Sequence, residues 1–537
     1  MLHVQYFPTC LPIVGRPYGD IVVSENTYQS FLQFILNCFL SSSKFDDVGA
    51  MSLSILVGLL LAIVFYVLYL HFSPPHHRRL FCGKTWRLPP GPTGRFLIGN
   101  LVQMMSAKQT MGTFIAWVRD MEVDPMLRRY TNMISQLSDL GHYGEMTTLQ
   151  LGSKTWVLLN SNRVASEIIA KHSNITHQRP YMPIASGLVS RDKRTVLRQT
   201  ASWTEGRRVM HQLLSGHALK TYGHWQEQES VRLLFDYLSE PSKWYSHHYR
   251  YTNSVMYRIV FGEGLTYSTT KLDEFQRVTV EFIRSINASP VDFFPTIARL
   301  VPSFLQPWRR NWQRMGEDHY RVFRSWWDPV REAVDNGTAP PSFVRDTLAS
   351  PDTRYTGSDE DAMYLATSII SAGSDNTRMT LNTFVMAMLT HPAAFERART
   401  ELDSVCGDAG RLPSLADMCA LPYICGVIKE VLRWRPTVPI IPPHELTEDM
   451  DFEGYSFPRG TCFVINSIAV CAECDKSDEF KPERWLQDGQ QENITHDLWQ
   501  FGGGRRICVG YKLAQQELFV AVARLIYCFD YVTVGLG

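Results

Sequence analysis

The chain lacks net charge: 53 Lys and Arg are matched by 53 Asp and Glu. Nucleic-acid binding calls for a basic excess or a basic stripe, so that class is excluded. No segment repeats at a fixed period, and no Gly/Ser-rich linker divides the middle of the 537 residues, which argues for one large domain rather than an array. Dense, even-numbered cysteines are also missing. The eleven thiols are scattered and odd in number, so they read as reduced and intracellular rather than as a disulfide scaffold. Cys471 and Cys474 form a C-x-x-C pair, but with no second pair or His-x-x-x-His to complete it, a zinc site is not supported. There is no G-x-x-x-x-G-K-[ST] loop and no dinucleotide fingerprint.

What is present begins with apolar mass. Apolar residues make up 45% and aromatics 12%, enough for a large buried core and far from a disordered composition. From Val48 to Leu70 there are 23 residues without a charge. About 20 such residues in a helix cross the hydrocarbon core of a bilayer, so a transmembrane anchor is expected over 48–72. Asp46 and Asp47 precede it, whereas His76, His77, Arg78, Arg79, Lys84 and Arg87 follow, which places the remainder on the cytosolic side. Leu88-Pro89-Pro90-Gly91-Pro92 then reads as a stiff hinge. The expected division is an N-terminal extension without assigned function at 1–47, the anchor at 48–72, a basic Pro-rich hinge at 73–100, and a cytosolic domain at 101–537.

The cytosolic part is mainly helical in pattern, with short strands expected at Met146 to Leu151, Trp156 to Leu159 and Thr461 to Ile465. The clearest helix starts after Ser358, an N-cap followed by Asp359, Glu360 and Asp361, and runs to His391 before Pro392 stops it. Its flanks are apolar, but Ala372-Gly373-Ser374-Asp375-Asn376-Thr377 places a Gly and four polar groups at its centre. That pattern predicts a local widening where a ligand or water meets the backbone. A second helix, Tyr423 to Trp434, sets Glu430 and Arg433 on one face.

Near the C-terminus, Phe501-Gly502-Gly503-Gly504-Arg505-Arg506-Ile507-Cys508-Val509-Gly510 precedes a helix-forming run from Lys512 to Cys528. Glycines expose backbone N–H groups and a helix start adds positive potential, and both favour thiolate at Cys508. The arginines suit acidic groups such as phosphates or propionates. A Cys nucleophile is the competing reading, but nothing selects a catalytic base among 16 histidines.

These residues carry a resemblance. Phe501, Gly504, Arg506, Cys508 and Gly510 match F-x-x-G-x-R-x-C-x-G, so the chain resembles the cytochrome P450 family, in style a microsomal fungal member. Glu430 and Arg433 match its E-x-x-R, Pro482 to Trp485 its P-E-R-F/W element, Ala372 to Thr377 its central-helix motif, and Trp203 with Arg207 its W-x-x-x-R. The resemblance implies a mainly α fold with a small β region, and haem b as cofactor with Cys508 as the axial thiolate. It also implies haem contacts from Trp203, Arg207, His444, Phe501 and Arg506, a buried network of Glu430, Arg433 and Arg484, and proton delivery for dioxygen by Asp375, Asn376 and Thr377.

The implied reaction is monooxygenation of an apolar small molecule, in secondary metabolism, at the endoplasmic reticulum membrane. No flavin or nicotinamide domain is present, so the implied partner is a separate NADPH–cytochrome P450 reductase. Asn376 stands where the family usually has threonine, which keeps a haem-thiolate isomerase or dehydratase as an alternative. The stretch from Asn466 to Phe480 lacks the family's R-D-P element and only 29 residues follow Cys508, which keeps an impaired haem-binding membrane protein as another.

Overall fold

The structure is a computed structural model, and it describes residues 86–95, 98–105, 143–265, 269–407, 410–486 and 498–532. The expected extension 1–47, the anchor 48–72 and most of the basic hinge lie outside the described residues. No helix among the described residues is long and apolar enough to cross a membrane.

Eight helices position the site: α1 Thr200–Leu213, α2 Ala218–Ser239, α3 Trp244–Phe261, α4 Thr269–Ser285, α5 Arg309–Asp335, α6 Asp359–Thr390, α7 Pro422–Trp434 and α8 Tyr511–Cys528. The strands among the described residues are β1 Met146–Leu151, β2 Lys154–Leu159, β3 His444–Glu445, β4 Met450–Phe452, β5 Tyr455–Phe457 and β6 Cys462–Ile465. Mainly helical architecture with little sheet is what the sequence led us to expect.

The larger sheet runs β1-β2-β6-β3. β1 and β2 form an antiparallel hairpin, but β2 pairs in parallel with β6, which lies some 300 residues later in the chain and sets Trp156 beside Cys462 and Leu159 beside Ile465. All four residues of β6 are buried, as a parallel strand covered on both faces requires. β3 adds on the other side of β6, which brings His444 opposite Phe463.

The expected hinge is partly visible, and it is docked rather than free. Thr148 N–H donates to Pro90 O at 3.0 Å, and Ser456 N–H donates to Arg87 O at 2.7 Å. A Cβ on Gly91 would lie 1.9 Å from Thr148 O, so only glycine permits this approach to β1.

α6 is the axis of the helical part. Ser358 Oγ accepts from Asp361 N–H while the Asp361 carboxylate accepts from Ser358 N–H, a reciprocal cap that fixes where the helix begins. It ends at Thr390, one residue before the expected limit, because Pro392 opens the next helix. The expected widening at Gly373 is absent, since α6 is a continuous α-helix. Gly373 serves packing instead: a Cβ there would sit 2.5 Å from Met256 Sδ of α3, the helix that runs alongside α6. Apolar residues of α3, α6, α7 and α8, among them Val255, Ile370, Leu381, Val427 and Phe519, meet in one continuous core.

Candidate functional site

The loop before α8 is built by its own backbone. Cys508 N–H donates to Phe501 O at 2.7 Å, closing the loop, and Arg506 N–H donates to Gly503 O at 3.2 Å. Gly504 adopts φ +56°, and a Cβ there would meet Ile169 O at 2.3 Å, so the tight approach to the preceding helical segment demands glycine. Phe501 is half-buried at the start of this loop.

The Cys508 side chain has two properties that rarely go together. It is accessible to water, yet burial pushes its thiol pKa up. A side chain that is both accessible and desolvated faces an enclosed slot rather than bulk water. Two groups act against the upward shift: a backbone hydrogen bond with Gly510 and the charge of Arg207, both of which favour thiolate.

Around this slot stand cations without counter-ions. Arg506 is buried; its Nε–H donates to His177 O at 2.9 Å and its terminal nitrogen to Arg198 O at 3.0 Å. Its guanidinium lies 4.0 Å from the Trp203 ring centre, and Arg207 lies 5.5 Å from the same ring. Arg179 is buried too and donates to the carbonyls of Pro442 and Pro443 at 2.5 and 2.6 Å. Among the described residues none of Arg179, Arg207 and Arg506 has a carboxylate within ion-pair distance. Burial, followed by the charges of Arg179 and Arg207, pushes Arg506 down to about 9. His444 donates through Nδ1–H to Thr176 O at 2.9 Å, while its buried Nε2 has no partner. Burial and then Arg179 hold His444 well below its ordinary pKa, so it is neutral.

Five of the expected cofactor contacts, Trp203, Arg207, His444, Arg506 and Cys508, are therefore tied together by measured contacts or mutual fields. Arg179 was not anticipated. A lone arginine followed by proline carries no pattern, and only the fold brings it to the cluster.

The central-helix residues separate. Ala372 and Asn376, one turn apart, are exposed at the middle of a helix whose flanks are buried, whereas Asp375 and Thr377 are buried. Asn376 Nδ2 donates to Ala372 O at 3.0 Å, the same backward bond that Ser374, Thr380 and Thr383 make with their hydroxyls. Asp375 accepts from Arg378 at 2.6 Å on the α3 side. The expected Glu430 network is present and larger than anticipated. The fully buried carboxylate accepts from Arg433 at 2.7 and 2.9 Å, from Arg484 at 3.1 Å, from Trp485 Nε1 at 2.9 Å and from Lys481 N–H at 2.8 Å. Arg433 in turn donates to the carbonyls of Cys471, Ser477 and Glu479. Gln500 Nε2–H donates to Leu432 O at 3.0 Å, which ties the start of the cysteine loop to α7. Cys471 and Cys474 are free thiols, and no cluster of metal-ligating side chains occurs among the described residues.

A family model described as Cytochrome P450 matches residues 125–534. The chain belongs to the cytochrome P450 family. It is 31% identical to cytochrome P450 monooxygenase virE of Hypocrea virens over 462 residues, covering 82% of this chain and 78% of that protein. Cytochrome P450 monooxygenase fogE of Aspergillus ruber is 29% identical over 462 residues, covering 82% of this chain and 80% of that protein. A zebra fish cytochrome P450 solved with abiraterone superposes with a TM-score of 0.59 at 24% identity, covering 73% of this chain and 91% of that one, which shows the shared fold.

As a P450, the protein is an oxidoreductase of the oxygen-incorporating kind with haem as prosthetic group and cysteine thiolate as its iron ligand. The residues present fit that group. A flat macrocycle with two carboxylates needs a slot with a thiol in its wall and cations nearby that lack protein counter-ions. The accessible thiol and the three arginines meet those needs, and a carboxylate beside His444 would favour its protonated form, whose Nε2–H can donate to it.

Proposed function

We propose that this P450 is a membrane-bound monooxygenase that inserts one oxygen atom into an apolar small molecule of secondary metabolism. The observation that carries this reading is the accessible Cys508 thiol beside the buried Arg506 and Arg179 and the half-buried Arg207, none of which has a carboxylate within ion-pair distance among the described residues. Cys508 is assigned as the thiolate ligand; Gly510 N–H and Arg207 favour its charged form against the burial that raises its pKa. Arg207, Arg506 and His444 are assigned to the carboxylates of the haem, with Trp203 holding the two guanidiniums in place and Phe501 closing the cysteine loop. When bound, the haem supplies activation of dioxygen at the iron. Asn376 presents its carboxamide on the accessible side of α6 and is assigned to orient water, with Asp375 and Thr377 buried beside it.

Residues 48–72 are assigned as the anchor, in the endoplasmic reticulum membrane with the catalytic part in the cytosol. Electrons are assigned to NADPH–cytochrome P450 reductase, docking on the face where Arg505 and Lys512 are exposed. Membranes containing the full chain, reduced and exposed to carbon monoxide, should show the red-shifted Soret band of thiolate ligation, and Cys508→Ala should lack it. A wild-type spectrum without that band overturns the reading.

Asn376 favours one second reading, a haem-thiolate isomerase or dehydratase, because a carboxamide cannot relay a proton as a hydroxyl does. Turnover that stops when NADPH or reductase is withheld excludes it.

A further inference from the structure

Arg194 lies between α4, α5 and α6 and is only 3% exposed. Its guanidinium is 4.0 Å from the Phe282 ring centre and 4.7 Å from that of Phe323, and its terminal nitrogen approaches His319 Nδ1 at 3.4 Å. His319 passes on to Glu281 through Nε2 at 3.1 Å, so the nearest acid is reached only through a ring. Among the described residues no carboxylate pairs with Arg194 directly, and its Nε–H has no acceptor. Burying an arginine this way is costly unless something else accepts from it. Cation–π contacts with phenylalanine offset part of that cost and satisfy no N–H.

Two buried hydroxyls of α6 follow: Tyr364 shares the Phe323 ring with Arg194, and Ser368 lies one turn further along the helix. Tyr364 is fully buried with its hydroxyl unpartnered, and its ring meets Phe323 edge-on at 5.4 Å. Its hydroxyl feels the Arg194 charge, which acts against the rise that burial imposes. One turn on, Ser368 Oγ is also buried without a partner. Tyr364, Ser368, Ala372 and Asn376 follow one another at four-residue steps along α6, and exposure grows along that stripe toward Asn376. The row therefore starts with unsatisfied donors and ends at the open face assigned to chemistry. Ser368 and Asn376 are eight residues apart, about 12 Å along the helix.

We propose that Arg194, Tyr364 and Ser368 form a substrate-anchoring subsite for a carboxylate, so that the substrate is an elongated apolar acid held at one end while its far carbons reach the Asn376 face. A guanidinium and two hydroxyls supply donors where a carboxylate supplies acceptors only, and charge-assisted hydrogen bonds of this type are the strong ones. Arg194, which burial pushes down to about 9, keeps its charge at neutral pH. The inference deepens the monooxygenase reading and rests on it.

The test uses the full chain with haem bound, dodecanoate and methyl dodecanoate as probes, and equilibrium dialysis at pH 7.5 as the readout. The acid should bind the wild-type protein at least about tenfold more tightly than the ester, equivalent to about 1.4 kcal/mol. Arg194→Gln should reduce that ratio to within about threefold of unity, and Tyr364→Phe, which keeps the ring against Phe323, should lower it by at least about threefold. Equal binding of acid and ester by the wild type overturns the subsite, as does an acid preference unchanged in Arg194→Gln. If Arg194→Gln does not fold, Tyr364→Phe decides, and an unchanged ratio there overturns it. Dialysis reads binding whether or not the protein oxygenates, and the carbon monoxide spectrum reads thiolate ligation separately, so failure of the subsite and failure of the monooxygenase reading give different results.

Discussion

Asp375 and Arg378 face each other across one turn of α6 at 2.6 Å, and both side chains are almost entirely withdrawn from solvent. Arg378 also donates to Tyr245 Oη at 2.9 Å and lies 5.5 Å from the ring centres of both Tyr245 and Tyr249. An acid expected to serve the reaction is thus turned toward α3 and held there. Removing one member leaves the other as an uncompensated buried charge. Arg378→Gln should cost about 3–5 kcal/mol, and Asp375→Asn combined with Arg378→Gln should recover much of it. Denaturant unfolding of the three variants checks this, and a cost below about 0.5 kcal/mol for Arg378→Gln would remove the basis for the argument.

Gly373 and Met256 make a second helix-to-helix contact. A Cβ at 373 would press on Met256 Sδ at 2.5 Å and Cε at 2.7 Å. Methionine yields, so Gly373→Ala should cost about 1–3 kcal/mol rather than abolish folding. Trimming the obstacle with Met256→Ala should make the pair non-additive by about 0.5 kcal/mol or more in a double-mutant cycle. Strict additivity would show that the α3–α6 approach does not depend on this glycine.

Glu430 has five polar contacts and no exposure, which separates it from the many helix-surface ion pairs of the same spacing. Glu430→Gln keeps the shape but leaves Arg433 and Arg484 short of a counter-charge. A loss of at least about 3 kcal/mol in thermal or denaturant unfolding is expected. The exposed pair Lys243–Glu240 supplies the contrast: Glu240→Gln should leave the unfolding midpoint essentially unchanged. Similar costs for both would mean that burial does not set the value of the 430 network.

Two fully buried histidines make folding sensitive to acid. Burial pushes His248 down to about 3, and burial with the Arg194 charge pushes His319 down to about 4. In the unfolded chain each takes up a proton near 6.5, while the folded protein refuses it until pH falls to 4 or 3. Between those limits the unfolded state binds more protons, so stability is full above about pH 7 and declines as pH drops. Each histidine contributes a slope of about 1.4 kcal/mol per pH unit in the middle of the window. Unfolding free energies measured from pH 7 to 5 should fall accordingly, and His248→Gln should remove about a third of the slope that His248, His319 and the equally buried His444 supply together. A flat profile over that range contradicts the assignment.

Much of the site is legible in the chain's local patterns. The cap at Ser358, the proline at 392 and the acids of the first turn act within one turn of chain, so α6 lies within one residue of its expected limits. The cysteine loop is legible for the same reason: Gly504, Arg506, Cys508 and Gly510 shape one another over a few residues. Arg179, Tyr364 and Arg194 carry no such signal. Among the described residues Arg179 and Arg194 have no carboxylate within ion-pair distance and the Tyr364 hydroxyl has no acceptor, a property of the fold's other segments rather than of their own neighbours in sequence. The widening expected at Gly373 failed because the glycine was read from its own helix, whereas its Cβ is forbidden by Met256 of another.

By itself, the sequence determined the helical class, the helix limits, the family and the chemistry of the cysteine loop, because capping, periodicity and loop closure are short-range forces acting along the chain. Only the tertiary structure decided which charges are left without partners. It paired Asp375 with Arg378, gave Glu430 its five contacts, and left Arg179, Arg207, Arg506 and Arg194 without acids among the described residues, because the balance between desolvation and ion pairing is set by segments hundreds of residues apart.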